Sequence, residues 1–167
     1  MSVTSDRRAP RGISEGNTPW YAGAKCFPCP PGTTPYSGTG LAAISRNPSA
    51  PEVFVFFQCA DANIYMASFN GTAWSLGPAL FKAKLGTDIS AVVRPGENAI
   101  QVFCADPDGV LTKLKGEPNP WTVTTGDKSK KLLDGSPIAG RVYKRKADGK
   151  HMVDIFAVYA ANRTSRG

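Results

Sequence analysis

Short apolar runs recur along this chain, and Pro, Asn, Asp or Gly separates one run from the next. Four runs lie within Leu41–Gly77: a small-apolar run, the run Val53–Phe57, a short run around Tyr65, and a run that begins at Trp74. Runs this short, separated by turn-forming residues, predict β-strands joined by tight turns. The pattern therefore predicts four consecutive strands, and the frequent Gly and Pro residues leave little room for helix.

The same four-run pattern occurs again downstream. The two copies are offset by 48 residues at the first strand and by 47 residues at the second and fourth strands. The paired starts are Leu41 and Ile89, Val53 and Ile100, and Trp74 and Trp121. A third copy begins with Pro137–Tyr143, continues with Val153–Tyr159 and stops after these two strands. The chain therefore holds two complete copies and the first half of a third.

A four-stranded repeat of this length is typical of a β-propeller blade, which spans ~40–50 residues. Propellers close with ~4–8 blades, so about three blades per chain cannot close a ring alone. We predict an all-β propeller of four-stranded blades, with a six-bladed ring formed by two chains. The predicted segments are 1–24 as outer strands that complete the last blade, 25–40 as a Pro- and Gly-rich loop, 41–86 and 87–135 as blades, and 136–167 as the first half of the last blade.

The N-terminal segment carries a further copy of a blade ending. The tetrapeptide Trp20–Gly23 (WYAG) repeats the pattern of Trp74–Gly77 (WSLG). Residues 1–24 therefore match the half that the last blade lacks. This predicts a homodimer in which the N-terminal strands of one chain complete the last blade of the other. The alternative is that residues 1–24 form a loose tail and that the arc is capped in another way.

Composition and charge narrow the classes of partner. The formal net charge is +7, with basic clusters in residues 7–11, 128–131 and 144–150. No recognition helix, RNP-like aromatic pattern or zinc-finger spacing accompanies them, so we expect solvated loops and do not expect nucleic acid as a partner. The chain has no signal-peptide core and no apolar run of the ~18 residues that a membrane span needs. We therefore expect a cytoplasmic protein that does not bind membranes.

The residues that often carry chemistry are few. In a cytoplasmic protein, the cysteines Cys26, Cys29, Cys59 and Cys104 are expected to be reduced thiols. Cys26 and Cys29 form a lone Cys-x-x-Cys with no second pair to complete a zinc site, so we expect no metal, and their role stays open. His151, the sole histidine, is expected to be a partly exposed turn residue. No phosphate-binding loop is present, and we predict no cofactor.

Each copy follows one blade pattern: a small-apolar strand (LAAI, ISAVV), a strand such as VFVFF or IQVF, a turn with Asp, Asn or Gly, a short strand, and a final WSLG or WT. This pattern resembles that of the fungal fucose-specific lectins. The resemblance covers the whole chain except residues 24–39 and rests on blade pattern and spacing. It implies a six-bladed propeller that binds sugar between neighbouring blades. In small bacterial relatives of that family, the ring is assembled from several short chains.

The sugar pocket of that family needs an Arg in the second strand, a Glu in the third and a Trp at the fourth. Here the Arg position holds Phe54, Gln101 and Asp154 in the three copies. The Glu position holds Met66 and Thr112, or Lys113 with a shifted gap, and the Trp position holds Trp20, Trp74 and Trp121. The resemblance thus implies a lectin-like protein that holds a glycan or another small ligand between blades.

Two other functions stay open from the sequence. A pocket of Phe54, Met66 and Trp74 has no fixed charge and suits a flatter apolar ligand, so it could orient a small substrate for a cyclase-type reaction. The polar anchors would then be Tyr65, Gln101, Thr112 and Asp154. Alternatively, each Trp packs the outer strand of its blade, and the protein is a scaffold that binds no sugar.

Overall fold

The computed structural model describes residues 29–47, 52–116 and 120–161, which form ten β-strands and no helix. The strands are β1 (Ala42–Asn47), β2 (Glu52–Gln58), β3 (Asn63–Phe69), β4 (Trp74–Lys82), β5 (Ser90–Val93), β6 (Ile100–Ala105), β7 (Leu111–Gly116), β8 (Trp121–Thr125), β9 (Ile138–Lys144) and β10 (His151–Ala157). Each apolar run from Leu41 onward that predicted a strand has a counterpart. Within the described ranges there is no helix that could cross a membrane.

The strands form three antiparallel sheets in chain order. The first sheet has the order β1-β2-β3-β4, the second β5-β6-β7-β8, and the third consists of β9 and β10. The first strands of the sheets are neighbours in space, because β5 contacts both β1 and β9. Consecutive four-stranded meanders whose first strands lie side by side are the arrangement of propeller blades. The predicted all-β, propeller-type fold is confirmed.

Apolar residues on both faces of the strands hold consecutive sheets together. In β2, the residues from Phe54 to Gln58 are all buried, as expected for a strand covered on both sides. Side chains alternate along a strand, so Phe54 and Phe56 face the second sheet while Phe57 faces away from it. The cluster between the first two sheets comprises Phe54, Phe56, Ile64, Met66, Ala83, Ile89, Ile100, Val102, Cys104 and Leu114.

A second, smaller cluster lies between the second and third sheets. Its buried members are Val92, Phe103, Ala105, Leu132 and Ile138, and Val142, Val153 and Ile155 of the third sheet pack against them. We call the space between the first and second sheets the first groove, and the space between the second and third sheets the second groove. The two sets of contacts place the second sheet in the middle of a three-sheet arc.

Polar side chains fix the connections between sheets. The Gln58 side chain is completely buried, donates to the carbonyls of Ala62 (3.1 Å) and Lys84 (3.0 Å), and accepts from the Gly86 backbone (2.8 Å). Asp88, just before β5, accepts a hydrogen bond of 2.7 Å from the backbone of Ile138, the first residue of β9. These bonds hold the loop from β4 to β5 and then the start of the third sheet in place.

The fourth strand of the first sheet is longer than predicted. The sequence predicts a run that ends at Gly77, but β4 continues to Lys82. The pairing with β3 shifts register between Tyr65 and Ala67, which makes room for Gly77 and Pro78. Proline is tolerated at such irregularities and on edge strands because it needs no partner for a backbone N–H.

The expectation of reduced cysteines is wrong for two of the four. Cys29 and Cys59 form a disulfide, with a Cα–Cα distance of 6.2 Å. The Pro-rich loop runs beside the end of β2, where Pro35 forms a bridge with Cys59, and this path brings the two thiols together. Cys104 is free and buried, as expected. The cytoplasmic location stays a prediction, and Cys26 lies outside the described residues.

Candidate functional site

The first groove brings together three of the predicted site residues, Phe54, Met66 and Trp121, and closes over them. Phe54 is 3% exposed and Met66 is 5% exposed, and both belong to the cluster between the first two sheets. Trp121, the first residue of β8, packs against this cluster and meets the Phe56 ring edge-on at 6.0 Å. This apolar set is core packing, with no room described for a ligand.

An ion pair lies at the end of the first groove, near the turn between β1 and β2. Arg46, at the end of β1, pairs with Glu52 at 2.7 Å, and its guanidinium lies 5.4 Å from the centre of the Phe54 ring. The same guanidinium makes a long contact of 3.5 Å to the carbonyl of Asn98, in the hairpin between β5 and β6. Arg46 therefore links the first sheet to the hairpin of the second sheet above Phe54.

The predicted grouping of Trp74 with Phe54 and Met66 is wrong. Trp74 lies opposite Phe69 in the register of β3 and β4, on the sheet face that points away from the second sheet. The reason is that fourth strands turn their Trp toward the preceding sheet, so the Trp that joins Phe54 and Met66 is Trp121 of the following sheet. The blade pattern of the family predicts the residue types at these positions, but it does not predict the sheet face on which each side chain lies.

Tyr65 also lies outside the first groove. Its ring is 5% exposed and stacks on Phe57 at 6.3 Å, on the face that carries the disulfide. Its hydroxyl donates to the Asp61 carboxylate at 2.7 Å, and this bond raises the pKa of Tyr65 above its ordinary value. The arrangement fixes the turn between β2 and β3.

The second groove has a different, polar character. Gln101 occupies on β6 the position that Phe54 has on β2, and it lies in register with Val92 and Lys115. Because residues in register share a face, and Val92 packs on the third sheet, the Gln101 side chain points into the second groove. It is 2% exposed, and its Nε2 has no hydrogen-bond partner among the described residues.

A charged cluster stands beside Gln101. Arg94 Nη1 donates to Glu97 Oε1 at 2.9 Å, and Lys115 Nζ lies 3.4 Å from Glu97 Oε2. Burial by itself raises the pKa of the Glu97 carboxyl, but the bonds from Arg94 and Lys115 outweigh it, so the pKa lies below the usual value. Glu97 is therefore ionised at neutral pH and held between two cations. The Arg94 Nε is buried without a partner in the described ranges.

A cavity of about 270 Å³ opens next to this cluster. It is lined by Arg94, Pro95, Glu97, Gly149, Lys150 and His151, so it lies between the hairpins of the second and third sheets. His151 is half-buried, as expected, but it is the first residue of β10 and not a turn residue. The volume lies near the low end of the roughly 300–1,000 Å³ of small-molecule pockets, which suits a ligand the size of one sugar ring.

Asp154 faces away from this cavity, on the outer side of the third sheet. It pairs with Arg141 across β9 and β10 at 2.9 Å. The Arg141 guanidinium lies over the rings of Tyr143 and Phe156, each at 5.3 Å, and Phe156 is 53% exposed. Relative to its own sheet, Asp154 holds the position of Gln101 and Phe54, but within the described residues no further sheet stands opposite it.

Thr112 and Lys113, which are neighbours in the sequence, face different grooves. Thr112 is in register with Cys104, faces the first groove, and donates to the carbonyl of Val110 at 3.3 Å. Lys113 is in register with Phe103 and faces the second groove, so the gap shifted by one residue gives the correct equivalence with Met66. Trp20 lies outside the described residues.

Arg94, Glu97 and Lys115 were not selected from the sequence. A signal was nevertheless present, because each first-to-second strand hairpin carries an Arg and a nearby acid. The pairs are Arg46 with Glu52, Arg94 with Glu97, and Arg145 with Asp148. The family pattern draws attention to the second and third strands, whereas here the charges come from the hairpins.

Comparison with solved structures finds the same fold in several lectins. The chain superimposes on the Aleuria aurantia lectin, described as a six-bladed β-propeller with a fucose recognition mode, with a TM-score of 0.61 and 21% identity over 75% of this chain and 43% of the lectin. For an Arg-to-Ala triple mutant of AofleA from Arthrobotrys oligospora, the TM-score is 0.63 with 19% identity, over 74% of this chain and 36% of that one. SapL1 lectin bound to α-methyl fucoside gives a TM-score of 0.52 with 20% identity, over 74% and 46%.

These neighbours confirm at the level of fold the resemblance that the blade pattern indicated. The chain spans less than half the length of the lectins it matches. No family model matches the sequence, and no curated protein sequence matches it significantly. The common element is therefore the propeller architecture, and the site of this chain has to be judged on its own residues.

Proposed function

We propose that this protein is a lectin-like binding protein that holds a glycan in the second groove. The observation that carries the proposal is the Arg94–Glu97 pair beside the unpartnered amide of Gln101. A guanidinium and an amide N–H₂ donate to sugar oxygens, while an ionised carboxylate accepts from sugar hydroxyls. Lys115 holds the carboxylate in place.

The nature of the neighbours supports a fucoside as the first ligand to test. Two of the matched lectins are described in complex with methyl fucoside, and one of them also with a fucosylated N-acetylglucosamine. Here an Arg–carboxylate pair comes from a hairpin, while those of the family come from the second and third strands. Because this pair comes from a different element than in the family, we expect a different preferred sugar. Binding to a glycan array should therefore be measured together with the fucoside titration.

The decisive comparison is between equivalent arginines in the two grooves. Arg94→Gln should weaken binding of α-methyl-L-fucoside, or of the best array ligand, by about tenfold or more, because a charge-assisted hydrogen bond contributes about 1.5–3 kcal/mol. Arg46→Gln is the matched control, since Arg46 has the same hairpin position but belongs to the closed first groove. Equal effects of both variants, or an array without signal for the wild type, would refute the lectin proposal.

The proposal includes a homodimer through the N- and C-terminal strands. Its support is the third sheet, where β10 pairs with β9 alone within the described residues and Tyr143 and Phe156 are exposed. An unpaired edge next to exposed aromatic side chains favours association with another strand. Sedimentation velocity of the full chain at micromolar concentration should give a dimer, and a monomer would remove this part of the proposal.

A further inference from the structure

The cavity in the second groove is bordered by more positive than negative charge. Arg94, Glu97 and Lys150 line it, and Lys115 of the second sheet contacts the Glu97 carboxylate. Three of these four charged side chains are cations. The Glu97 carboxylate is already neutralised within the protein, because Arg94 lies at 2.9 Å and Lys115 at 3.4 Å. Lys150 makes no ion pair in the described part of the chain, so its charge is available to a ligand.

The third sheet adds a further cation on the same side. Side chains alternate along β9, and Val142 packs against the second sheet, so Lys144 lies on the same face two positions later. A Cβ added to Gly149, which lines the cavity, would lie 3.5 Å from Lys144 Cε. The acid of this hairpin, Asp148, is already paired with Arg145. Lys144 therefore adds its positive charge to the cavity without a matching acid.

Two buried N–H donors in the second groove also lack a partner. They are Gln101 Nε2 and Arg94 Nε, and neither has a hydrogen bond among the residues that the structure describes. The Gln101 side chain is 2% exposed and points into the groove. The buried acceptor without a hydrogen bond there, Glu97 Oε2, has Lys115 Nζ nearby. Since buried polar groups are nearly always paired, these donors favour a ligand that brings acceptors.

The equivalent pair in the first groove is complete. Arg46 donates to Glu52 Oε2 from both Nε, at 2.9 Å, and Nη2, at 2.7 Å. In the second groove Arg94 donates to Glu97 through Nη1, which leaves the buried Nε without a partner in the described ranges. The two hairpins thus carry the same residue types, but the second one keeps a donor that the first one uses internally.

We propose that the second groove selects an acidic sugar, a hexuronic acid whose carboxylate binds among Arg94, Lys144 and Lys150. An ionised carboxylate offers acceptors and no donor, so it matches a site whose unpaired groups are cations and N–H donors. A neutral sugar brings hydroxyls alone and leaves the extra positive charge uncompensated. The cavity of about 270 Å³ suits one sugar ring with its carboxylate. This inference rests on the proposed glycan binding of the groove and names the class of sugar.

Matched sugars test the charge preference directly. Isothermal titration calorimetry compares methyl β-D-glucuronide with methyl β-D-glucoside, and methyl α-D-galacturonide with methyl α-D-galactoside. Each pair differs only in a carboxylate or a hydroxymethyl group. At low salt, wild type should bind at least one uronide about tenfold more tightly than its neutral partner, because charge-assisted hydrogen bonds are the stronger ones. The preference should shrink between about 50 mM and about 500 mM NaCl, since salt screens exposed charges.

Two lysine variants assign the preference to the cavity. Lys150→Gln should lower the ratio of uronide to glycoside affinity by about threefold or more, the size of a solvent-screened ion pair. Lys146→Gln is the matched control, since Lys146 is exposed in the same hairpin but does not line the cavity, and it should leave the ratio unchanged. Equal affinities within both sugar pairs, or equal effects of the two variants, would overturn this inference and leave the lectin proposal standing. If neither uronides nor neutral sugars bind, both fail.

Discussion

At the scale of single residues, equivalent positions in the repeat carry opposite roles. Phe54 and Gln101 hold the same place in β2 and β6, and both are almost fully buried. Phe54 completes an apolar cluster under an Arg46–Glu52 pair, whereas Gln101 brings an amide without a partner next to Arg94 and Glu97. A buried polar group without a partner costs free energy, and a ligand that accepts from the Gln101 amide would remove that cost.

Gln101→Met tests this cost. Met has a similar length and no hydrogen-bonding amide, so the variant should be more stable than wild type by about 1–3 kcal/mol in urea unfolding. The same variant should bind glycan more weakly. A loss of stability would mean that the Gln101 amide already has a partner in the ligand-free protein.

Phe56→Ala tests the packing of the first groove. Phe56 is fully buried and contacts Trp121, so its truncation should lower the free energy of unfolding by about 3–5 kcal/mol. Leu133→Ala is a suitable control, because Leu133 is 53% exposed and a surface truncation changes stability by about 0.5 kcal/mol or less. Similar losses for both variants, measured by chemical denaturation, would contradict the assignment of the core.

Glu97→Gln tests the charged cluster through its pH dependence. The pKa of Glu97 is lowered in the folded state, so its contribution to stability is present above the unfolded value of about 4.3 and is lost as the pH falls through the folded value. Wild type should therefore be more stable than Glu97→Gln at pH 7, and the difference should shrink by pH 3. Because Glu97 is about one-third exposed, solvent screens the effect, and a constant difference would argue against the cluster.

At the scale of elements, the strands were predictable and the sheet face of each side chain was not. The 47-residue spacing from Trp74 to Trp121 located the blades because it is a property of the sequence alone. Facing directions depend on register, and a shift of one residue moves a side chain to the other face. This is why Thr112 and Lys113 could not be separated and why Trp74 was grouped with the wrong groove.

The disulfide is not predictable from the sequence for a related reason. Cys29 and Cys59 are 30 residues apart, and their contact depends on the path of the Pro-rich loop, which carries no periodic signal. The hairpin charges of the candidate site are not part of the family pattern, which involves the second and third strands of each blade. The strands, which follow from the periodicity of the sequence, could be predicted. The disulfide, which depends on the conformation of a loop, could not.

Removal of this disulfide should destabilise the protein. A link that closes a loop of this length stabilises by typically 2–4 kcal/mol, so Cys59→Ser should lower the free energy of unfolding by about that amount under oxidising conditions. Non-reducing mass spectrometry should find the Cys29–Cys59 link in wild type, and Cys29→Ser should lose it. Persistence of the link in that variant would mean that another cysteine pairs with Cys59.

Cys104 should behave differently from the linked cysteines. Burial raises the pKa of its thiol to about 12, with a smaller contribution from the charge of Asp106. The reactive thiolate is therefore scarce at pH 8, and iodoacetamide should not label Cys104 unless the protein is unfolded. Labelling of Cys104 in the native protein, located by peptide mapping, would show that the cluster between the first two sheets opens readily.

At the scale of the whole molecule, the three sheets are equivalent in topology but not in what lies between them. The first groove is filled by side chains, and the second keeps a cavity beside charged residues. The blade pattern predicted the arc and its likeness to the lectin propellers, since both follow from strand spacing. It did not predict which groove is open, because that depends on the single residues that line each one.

The closed first groove has a consequence for valency. A ring in which every groove was open would present many sites around its rim and would bind multivalent surfaces from any direction. In this chain one of the two described grooves is filled by its own side chains. The proposed two-chain ring would then carry its second-groove sites as a symmetric pair, one from each chain and half a turn apart, and with the proposed glycan binding it would hold two glycans at a fixed separation.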